Sequence, residues 1–106
     1  MCGILGVSAL PDSKTIFNDD GFVESFQAAL ASVQHRGPDD IGSYLNSDDG
    51  IGLGHTRLSI LDLSSHGHQP MTDSSGQVTL VYNGEIYNFR EIRTELENAG
   101  CRFIGS

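Results

Sequence analysis

The thiol of Cys2 is the side chain of this sequence with the clearest potential for covalent chemistry. When the residue after the initiator Met is small, Met1 is normally removed, and Cys2 then carries a free α-amine that can accept a proton near neutral pH. An amine beside a thiol supplies a nucleophile and its base within one residue, as catalysis by an amino-terminal nucleophile requires. The alternative is that Cys2 is a small apolar residue packed in a strand, which is common for free cysteines.

Four further residues have side chains or backbone groups suited to a site, and each also has a purely structural explanation. Asn83 and Gly84 form a turn dipeptide of the most common kind. Arg57 has a planar fork that suits carboxylates, but most arginines lie on protein surfaces. Glu85 is equally consistent with a solvated turn residue. We therefore keep both interpretations for each of them at this point.

The elements that must position these residues alternate between strand and helix. Residues 2–8 form a short predicted strand, and Asp19 or Asp20 caps a helix that extends to about residue 35. Apolar side chains spaced four, four and three apart give that helix a buried face, which includes Phe26 and Leu30. Gly37 is expected in the left-handed conformation that ends helices.

The second half of the chain predicts three or more strands and another helix. A turn at 48–50 joins strands at 41–46 and 51–56, an extended piece follows at 58–63, and residues 77–82 are the strongest strand pattern. Asn88 and Glu91 have the spacing of a capping box, and Gly100 ends the helix that they begin. A final strand is expected at 101–104. This order predicts an α+β protein.

Composition limits the function further. The chain has 106 residues, enough for one small domain, and six basic against fourteen acidic residues give a net charge of -8. This charge disfavours nucleic acids and anionic membranes as partners, and no apolar stretch is long enough to cross a membrane. The absence of a basic leader predicts a cytoplasmic location, where Cys2 and Cys101 stay free thiols. His66 and His68 lack a Cys or carboxylate nearby in sequence, so no metal site is predicted.

Five short motifs, in order, resemble those of one enzyme family. They are 1–7 (MCGILGV), 35–39 (HRGPD), 54–60 (GHTRLSI), 69–71 (QPM) and 83–88 (NGEIYN). The start of the sequence is similar to class II glutamine amidotransferases, and the complete set resembles the glutamine-hydrolysing asparagine synthetases. The resemblance covers nearly the whole chain.

The resemblance implies a role for each candidate residue. Cys2 would be the catalytic nucleophile, while the Asn83 amide and the Gly84 backbone N–H would form the oxyanion hole that a tetrahedral intermediate needs. Arg57 would bind the α-carboxylate of glutamine, and Glu85, together with Asn83, would help to bind the substrate. Asp39 is expected to bond backbone amides in a turn, and no metal ligands are implied.

The resemblance also implies an architecture and a reaction. The fold would be the N-terminal-nucleophile hydrolase type, an αββα sandwich of two antiparallel sheets, with residues 1–106 as the front part of the glutaminase domain. Glutamine would be the substrate, and its ammonia would pass to a C-terminal synthetase domain that uses ATP and Mg²⁺ to convert aspartate to asparagine. No cofactor is expected within 1–106, and the full-length enzyme would be compatible with a homodimer.

Two alternatives to asparagine synthesis are considered. In one, the acceptor of the ammonia is a different molecule, such as a polysaccharide precursor. In the other, the chain is a catalytically inactive fragment. We expect residues 1–106 alone to have little glutaminase activity, because the last predicted strand has no successor to cover it.

Overall fold

Residues 2–59 and 65–103 are described by the computed structural model of the protein. Within these ranges, five strands and two α-helices follow one another along the chain, with three short 3₁₀-helices between them. The strands are β1 (Gly3–Ser8), β2 (Asp40–Asn46), β3 (Ile51–Arg57), β4 (Met71–Thr72) and β5 (Thr79–Leu80), and the α-helices are α1 (Asp20–Ser32) and α2 (Phe89–Asn98). The 3₁₀-helices span Pro11–Asn18, Gln34–Arg36 and Ser65–Gly67. The mixture of helices and antiparallel sheets confirms the α+β class.

β3 is the central strand of a three-stranded antiparallel sheet in the order β1-β3-β2. β1 pairs along one edge, with Gly3 opposite Thr56, and β2 pairs along the other, with Asp40 opposite Arg57. The predicted hairpin between β2 and β3 is confirmed, and its turn contains Gly50 at a φ of 68°, a conformation that glycine adopts without strain. A second sheet in the described residues pairs only β4 and β5.

α1 packs against one face of this sheet. The Asp19 carboxylate accepts a hydrogen bond from the Gly21 N–H over 2.8 Å, which confirms the predicted cap. Phe26 and Leu30 are buried. A Cβ atom on Gly54 of β3 would lie 2.8 Å from Leu30 Cδ1, so the helix approaches the sheet as closely as this glycine permits.

The predicted end of that helix needs correction at Gly37. α1 ends at Ser32 and is followed by a 3₁₀-helix, and Gly37 has a φ of -154° instead of a left-handed conformation. A Cβ atom at this position would collide with the backbone of Thr56 and Arg57. Glycine is therefore required here for close contact with β3, which a local helix-capping rule cannot anticipate.

On the opposite face of the sheet, His68 and Gln69 lie against β2. His68 Nδ1 lies 2.5 Å from Asp40 Oδ2 on β2. Two residues along the same strand, Gly42 lies against the Gln69 carbonyl and leaves no room for a Cβ atom. Because side chains two apart in a strand share a face, His55 and Arg57 of β3 point to this side.

The strand predicted over 77–82 is much shorter in the structure. Regular pairing covers only β5, because polar side chains take the backbone N–H groups on either side of it. Asp73 Oδ1 accepts from Gln77 and Val78 at 3.2 Å each, and Gln69 Oε1 accepts from Tyr82 at 2.7 Å. Such side-chain bonds compete with a strand ladder.

The helix predicted to begin after Asn88 is confirmed as α2, but two other predictions near the end of the chain are wrong. The Asn88 side chain makes no capping bond, because its φ of -95° and ψ of 30° differ from the extended conformation of an N-cap. Residues 101–103 do not form a strand. The rest of that predicted strand, and most of the extended piece at 58–63, lies outside the described residues. No helix of the described part of the chain is both long enough and apolar enough to span a bilayer.

Candidate functional site

Cys2 lies directly before β1, on the edge of the three-stranded sheet. Its Sγ accepts a hydrogen bond from the Leu58 N–H over 3.3 Å and lies 3.9 Å from the Leu58 carbonyl oxygen. Leu58 immediately follows Arg57, the last residue of β3. The antiparallel pairing of β1 and β3 therefore brings the predicted nucleophile next to the predicted carboxylate ligand.

The backbone around Cys2 is held by two further side chains. Arg36 Nε donates to the Cys2 carbonyl over 3.3 Å. The fully buried Thr56 hydroxyl accepts from the Gly3 N–H over 3.1 Å and donates to the Val33 carbonyl over 3.0 Å. Thr56 thus joins β1, β3 and the end of α1 at one point, and it fixes the residue that follows the nucleophile.

Arg57 is largely buried, with 8% of its surface exposed. Its guanidinium lies against the backbone of Gly67, where an added Cβ atom would overlap Nη2 and would come within 2.5 Å of Cζ. The side chain is therefore not the surface arginine of the structural alternative. Gly67 was not singled out by the sequence analysis, because nothing in a lone glycine indicates which side chain lies on it.

The backbone at Arg57 is held by the turn that precedes β2. The Asp39 N–H donates to the Arg57 carbonyl over 2.9 Å, and Asp39 Oδ2 accepts from the Ser59 N–H over 2.8 Å. The predicted bonding of the Asp39 side chain to a backbone amide is therefore confirmed. Asp39 therefore forms hydrogen bonds with the backbone on both sides of Leu58, whose N–H contacts the Cys2 sulfur.

Asn83 and Gly84 lie between β5 and α2, and Tyr82 connects them to the sheet. His55 Nε2 lies 3.3 Å from the Tyr82 carbonyl oxygen, and the Tyr82 N–H donates to Gln69 Oε1 over 2.7 Å. Gly84 has no positive φ, so the Asn-Gly pair is not the type I′ hairpin turn that the structural alternative describes. A Cβ on Gly84 would lie 2.6 Å from the Tyr82 hydroxyl.

Glu85 is exposed, on the segment between Gly84 and α2, whereas Asn83 is half-buried. The structure thus brings Cys2 and Arg57 together through the sheet and connects the Asn83 segment to the same face through His55. The roles of Asn83 and Gly84 as oxyanion donors, and of Glu85 as a substrate ligand, stay predictions.

Sequence reasoning missed His55, which is 1% exposed and lies two residues before Arg57 on the same face of β3. Burial lowers the pKa of its imidazole, although the hydrogen bond to the Tyr82 carbonyl opposes that effect. His55 is therefore neutral at neutral pH. His55 stands two positions before Arg57 in a predicted strand, so the two side chains share a face. This spacing is the signal that could have identified it.

Asp40 and His68 form a hydrogen-bonded pair at the edge of this region. Burial raises the pKa of the Asp40 carboxyl, but the hydrogen bond and charge of His68, the hydrogen bond from the Ile41 N–H and the charge of Arg57 together outweigh it, so that pKa lies below its ordinary value. His68 therefore has a carboxylate partner in space, although none is close in sequence. No group of three or more His, Cys, Asp or Glu residues in 2–59 and 65–103 is arranged to hold a metal ion.

Comparison with known proteins defines the class. The profile of a family described as a glutamine amidotransferase domain matches residues 1–106. The chain belongs to the glutamine amidotransferase family. Its relatives include the glutamine-hydrolysing asparagine synthetases, so the resemblance found in the motifs is confirmed. No solved structure gives a significant match.

Three relatives illustrate the range of named proteins. Amidase chry2 of Gibberella zeae is 36% identical over 110 residues, which cover 100% of this chain and 16% of that protein. Putative asparagine synthetase (glutamine-hydrolyzing) 2 of Methanocaldococcus jannaschii is 37% identical, with 88% and 20% covered. Asparagine synthetase (glutamine-hydrolyzing) 1 of Bacillus subtilis is 36% identical, with 97% and 15% covered. The chain spans between 15 and 20% of the length of these curated relatives.

Proposed function

We propose that this chain hydrolyses the side-chain amide of glutamine, with Cys2 as the nucleophile, and supplies the ammonia to a synthetase part of the same enzyme. The observation that carries the proposal is the Cys2 sulfur held 3.3 Å from the N–H of Leu58, the residue that directly follows the buried Arg57. One group suits attack on the amide carbon, and the other suits the substrate carboxylate. Family membership supports the assignment of glutamine as substrate.

The reaction follows from the properties of these groups. Met1 is first removed, and the Cys2 thiol then passes its proton to its own α-amine as sulfur bonds to the amide carbon of glutamine. The resulting oxyanion accepts hydrogen bonds from the Asn83 side-chain amide and the Gly84 N–H. When the tetrahedral intermediate collapses, the α-ammonium returns the proton to the leaving nitrogen, and ammonia departs.

A glutamyl thioester on Cys2 remains after ammonia has left. The α-amine takes a proton from a water molecule as that water attacks the thioester carbonyl, and the departing thiolate recovers the proton. Glutamate is released and the free thiol is restored. In the bound substrate, Arg57 binds the α-carboxylate throughout, and Glu85 contributes to binding of the α-ammonium.

The architecture that accompanies this proposal is the αββα sandwich of the N-terminal-nucleophile hydrolases, with this chain as the front part of the glutaminase domain. The antiparallel order β1-β3-β2, with α1 on one face, is compatible with one sheet and one helix layer of such a sandwich. The synthetase part would use the ATP and Mg²⁺ that the resemblance implies, with aspartate as the acceptor and asparagine as the product.

Two cysteine variants test the nucleophile. We expect Cys2→Ala to abolish glutamate release from glutamine and to leave synthesis from free ammonia intact. Cys101→Ala is the matched control, since Cys101 is an exposed free cysteine, and it should retain the wild-type rate. Labelling by a diazoketone analogue of glutamine, followed by mass spectrometry, should modify Cys2 and not Cys101. Glutamate release by Cys2→Ala at the wild-type rate would show that another group is the nucleophile.

A second candidate keeps the glutaminase and changes the acceptor. It is favoured by relatives named as amidases, among them Amidase chry2 at 36% identity. The full-length protein, supplied with glutamine, ATP and Mg²⁺, should form asparagine when aspartate is added if the first candidate is right. Glutamine hydrolysis without asparagine formation would favour the second.

A further inference from the structure

We propose that His55 and Gln69 are positioning residues that hold the oxyanion-hole segment by clamping the Tyr82 backbone from both sides. This inference rests on the proposed function, since it assumes that Asn83 and Gly84 stabilise the oxyanion. Tyr82 directly precedes Asn83. Its carbonyl lies 3.3 Å from His55 Nε2, and its N–H donates to Gln69 Oε1 over 2.7 Å.

The segment needs such a clamp because the sheet does not hold it. Among the described residues, strand pairing ends at Leu80, and β5 pairs only with the two-residue β4. Residues 81–84 have no regular secondary structure. The two side-chain bonds at Tyr82 therefore take the place that a strand ladder would have in fixing the backbone before Asn83.

Both anchors are themselves firmly placed. His55 is 1% exposed and lies in β3, which is paired on both edges, opposite Ile4 and Gly42. Gln69 has its carbonyl packed against Gly42, and its neighbour His68 pairs with Asp40. The two hydrogen bonds at Tyr82 thus hold the Asn83 segment in a fixed position relative to β2 and β3.

The direction of each bond fixes what a replacement must provide. A carbonyl oxygen only accepts, so His55 Nε2 carries the proton and donates to Tyr82. A backbone N–H only donates, so Gln69 must present its oxygen. His55→Gln keeps a donor at a similar distance along the side chain, and Gln69→Glu keeps an acceptor. His55→Leu and Gln69→Met remove the bond while retaining bulk.

The clamp predicts an effect on the chemical step. The oxyanion forms only during the reaction, so a displaced Asn83 segment loses transition-state stabilisation. We expect kcat for glutamine hydrolysis to fall about 10- to 100-fold in His55→Leu and Gln69→Met. KM for glutamine should change less than kcat, because Arg57, which would bind the α-carboxylate, lies outside this segment, although displacement of Asn83 and Glu85 should raise KM to some extent. A general loss of folded protein would lower the apparent kcat but would not loosen one segment selectively.

The experiment uses the full-length protein and combines steady-state kinetics with amide hydrogen exchange by mass spectrometry. In His55→Leu and Gln69→Met, exchange should accelerate over 82–84 and stay unchanged in β1. His55→Gln should restore both the rate and the protection. Gln69→Glu adds a charge near the oxyanion, so it is judged by exchange alone, where it should match the wild type.

The inference is overturned if exchange over 82–84 is unaffected in both bond-deleting variants, or if it accelerates while kcat stays at the wild-type value. The proposed function is tested independently: it is wrong if the wild type releases glutamate from glutamine no faster than Cys2→Ala does. In that case the exchange data still decide whether His55 and Gln69 hold the segment.

Discussion

The Leu58 backbone N–H donates a hydrogen bond to the sulfur of Cys2 across 3.3 Å, although 56 positions separate the two residues in sequence. Because Leu58 follows Arg57 directly, this hydrogen bond ties the Cys2 side chain to the backbone beside the arginine. The proposed roles of Cys2 and Arg57 require the two residues to lie near each other, because one molecule of glutamine would contact both.

Replacement of Arg57 by Lys tests substrate binding. Lys retains the charge but not the planar fork, so we expect KM for glutamine to rise about 10- to 100-fold, which corresponds to the loss of a hydrogen bond to a charged group. The α-carboxylate does not change during hydrolysis, so kcat should fall much less. Steady-state kinetics of glutamate release check this, and a large fall in kcat at constant KM would place Arg57 at the reacting carbon.

Gly67→Ala should also raise KM for glutamine, to a smaller extent than Arg57→Lys, although Arg57 itself is not replaced. The new Cβ atom would overlap the guanidinium of Arg57, so the fork must move and KM for glutamine should rise. Gly6→Ala is the matched control, because the closest atom to its added Cβ is Leu53 Cδ2 at 4.0 Å. Equal KM values for the two variants would show that the contact between Gly67 and Arg57 has no effect on binding.

Replacement of Thr56 by Val keeps the shape of the side chain and removes its hydroxyl. The Gly3 N–H and the Val33 carbonyl would both lose a partner, so the free energy of unfolding should fall by at least about 1–3 kcal/mol. Urea unfolding measures this. Thr56→Ser retains the hydroxyl and should lose only about 1 kcal/mol, from one buried methyl group. If Thr56→Val had the same free energy of unfolding as the wild type, the two hydrogen bonds of the Thr56 hydroxyl would not stabilise the fold.

The Asp40–His68 pair predicts how stability depends on pH. Burial raises the pKa of Asp40, but the bond and charge of His68, together with the Ile41 N–H and the charge of Arg57, outweigh this and leave the pKa below the ordinary 3.8. A carboxyl with a lowered pKa in the folded state stabilises the protein above pH 3.8, and this stabilisation is lost as the pH falls through the lower folded-state value.

Asp40→Asn should therefore be less stable than the wild type at neutral pH, and the difference should shrink in acid. Urea midpoints measured from neutral pH to about pH 2 check this. His68→Gln removes the imidazole that lowers the pKa of Asp40 and should reduce the same pH-dependent difference. If the urea midpoints of Asp40→Asn and the wild type differed by the same amount at every pH, the pKa of Asp40 would not be lowered in the folded protein.

The elements whose conformation depends on residues close together in sequence could be predicted. The β2–β3 hairpin follows from strand residues on both sides of a glycine turn, and α1 follows from its apolar spacing and the Asp19 cap. The proximity of Cys2 and Arg57 could not be derived from spacing, because it depends on which strands pair. It was implied only by the resemblance of the motifs.

The errors have a common physical cause. The strand at 77–82 is shortened because Asp73 and Gln69 compete for its N–H groups, and Gly37 is shaped by contact with Thr56. His55 was overlooked for the same reason, since its partner is 27 residues away. In each case a residue distant in sequence, or a side chain in place of a backbone partner, decides the local conformation.

The strand order β1-β3-β2 also determines the order in which the site can assemble during synthesis. The β2–β3 hairpin closes through a short turn, whereas the Gly3 N–H reaches Thr56 across 53 residues, and closing a longer loop costs more chain entropy. β1 pairs only with β3 in the described sheet, so it has no partner until residues near 57 leave the ribosome. β1 is thus the last of these three strands that can dock, and the proposed nucleophile Cys2 reaches its place beside Leu58 only when β1 pairs.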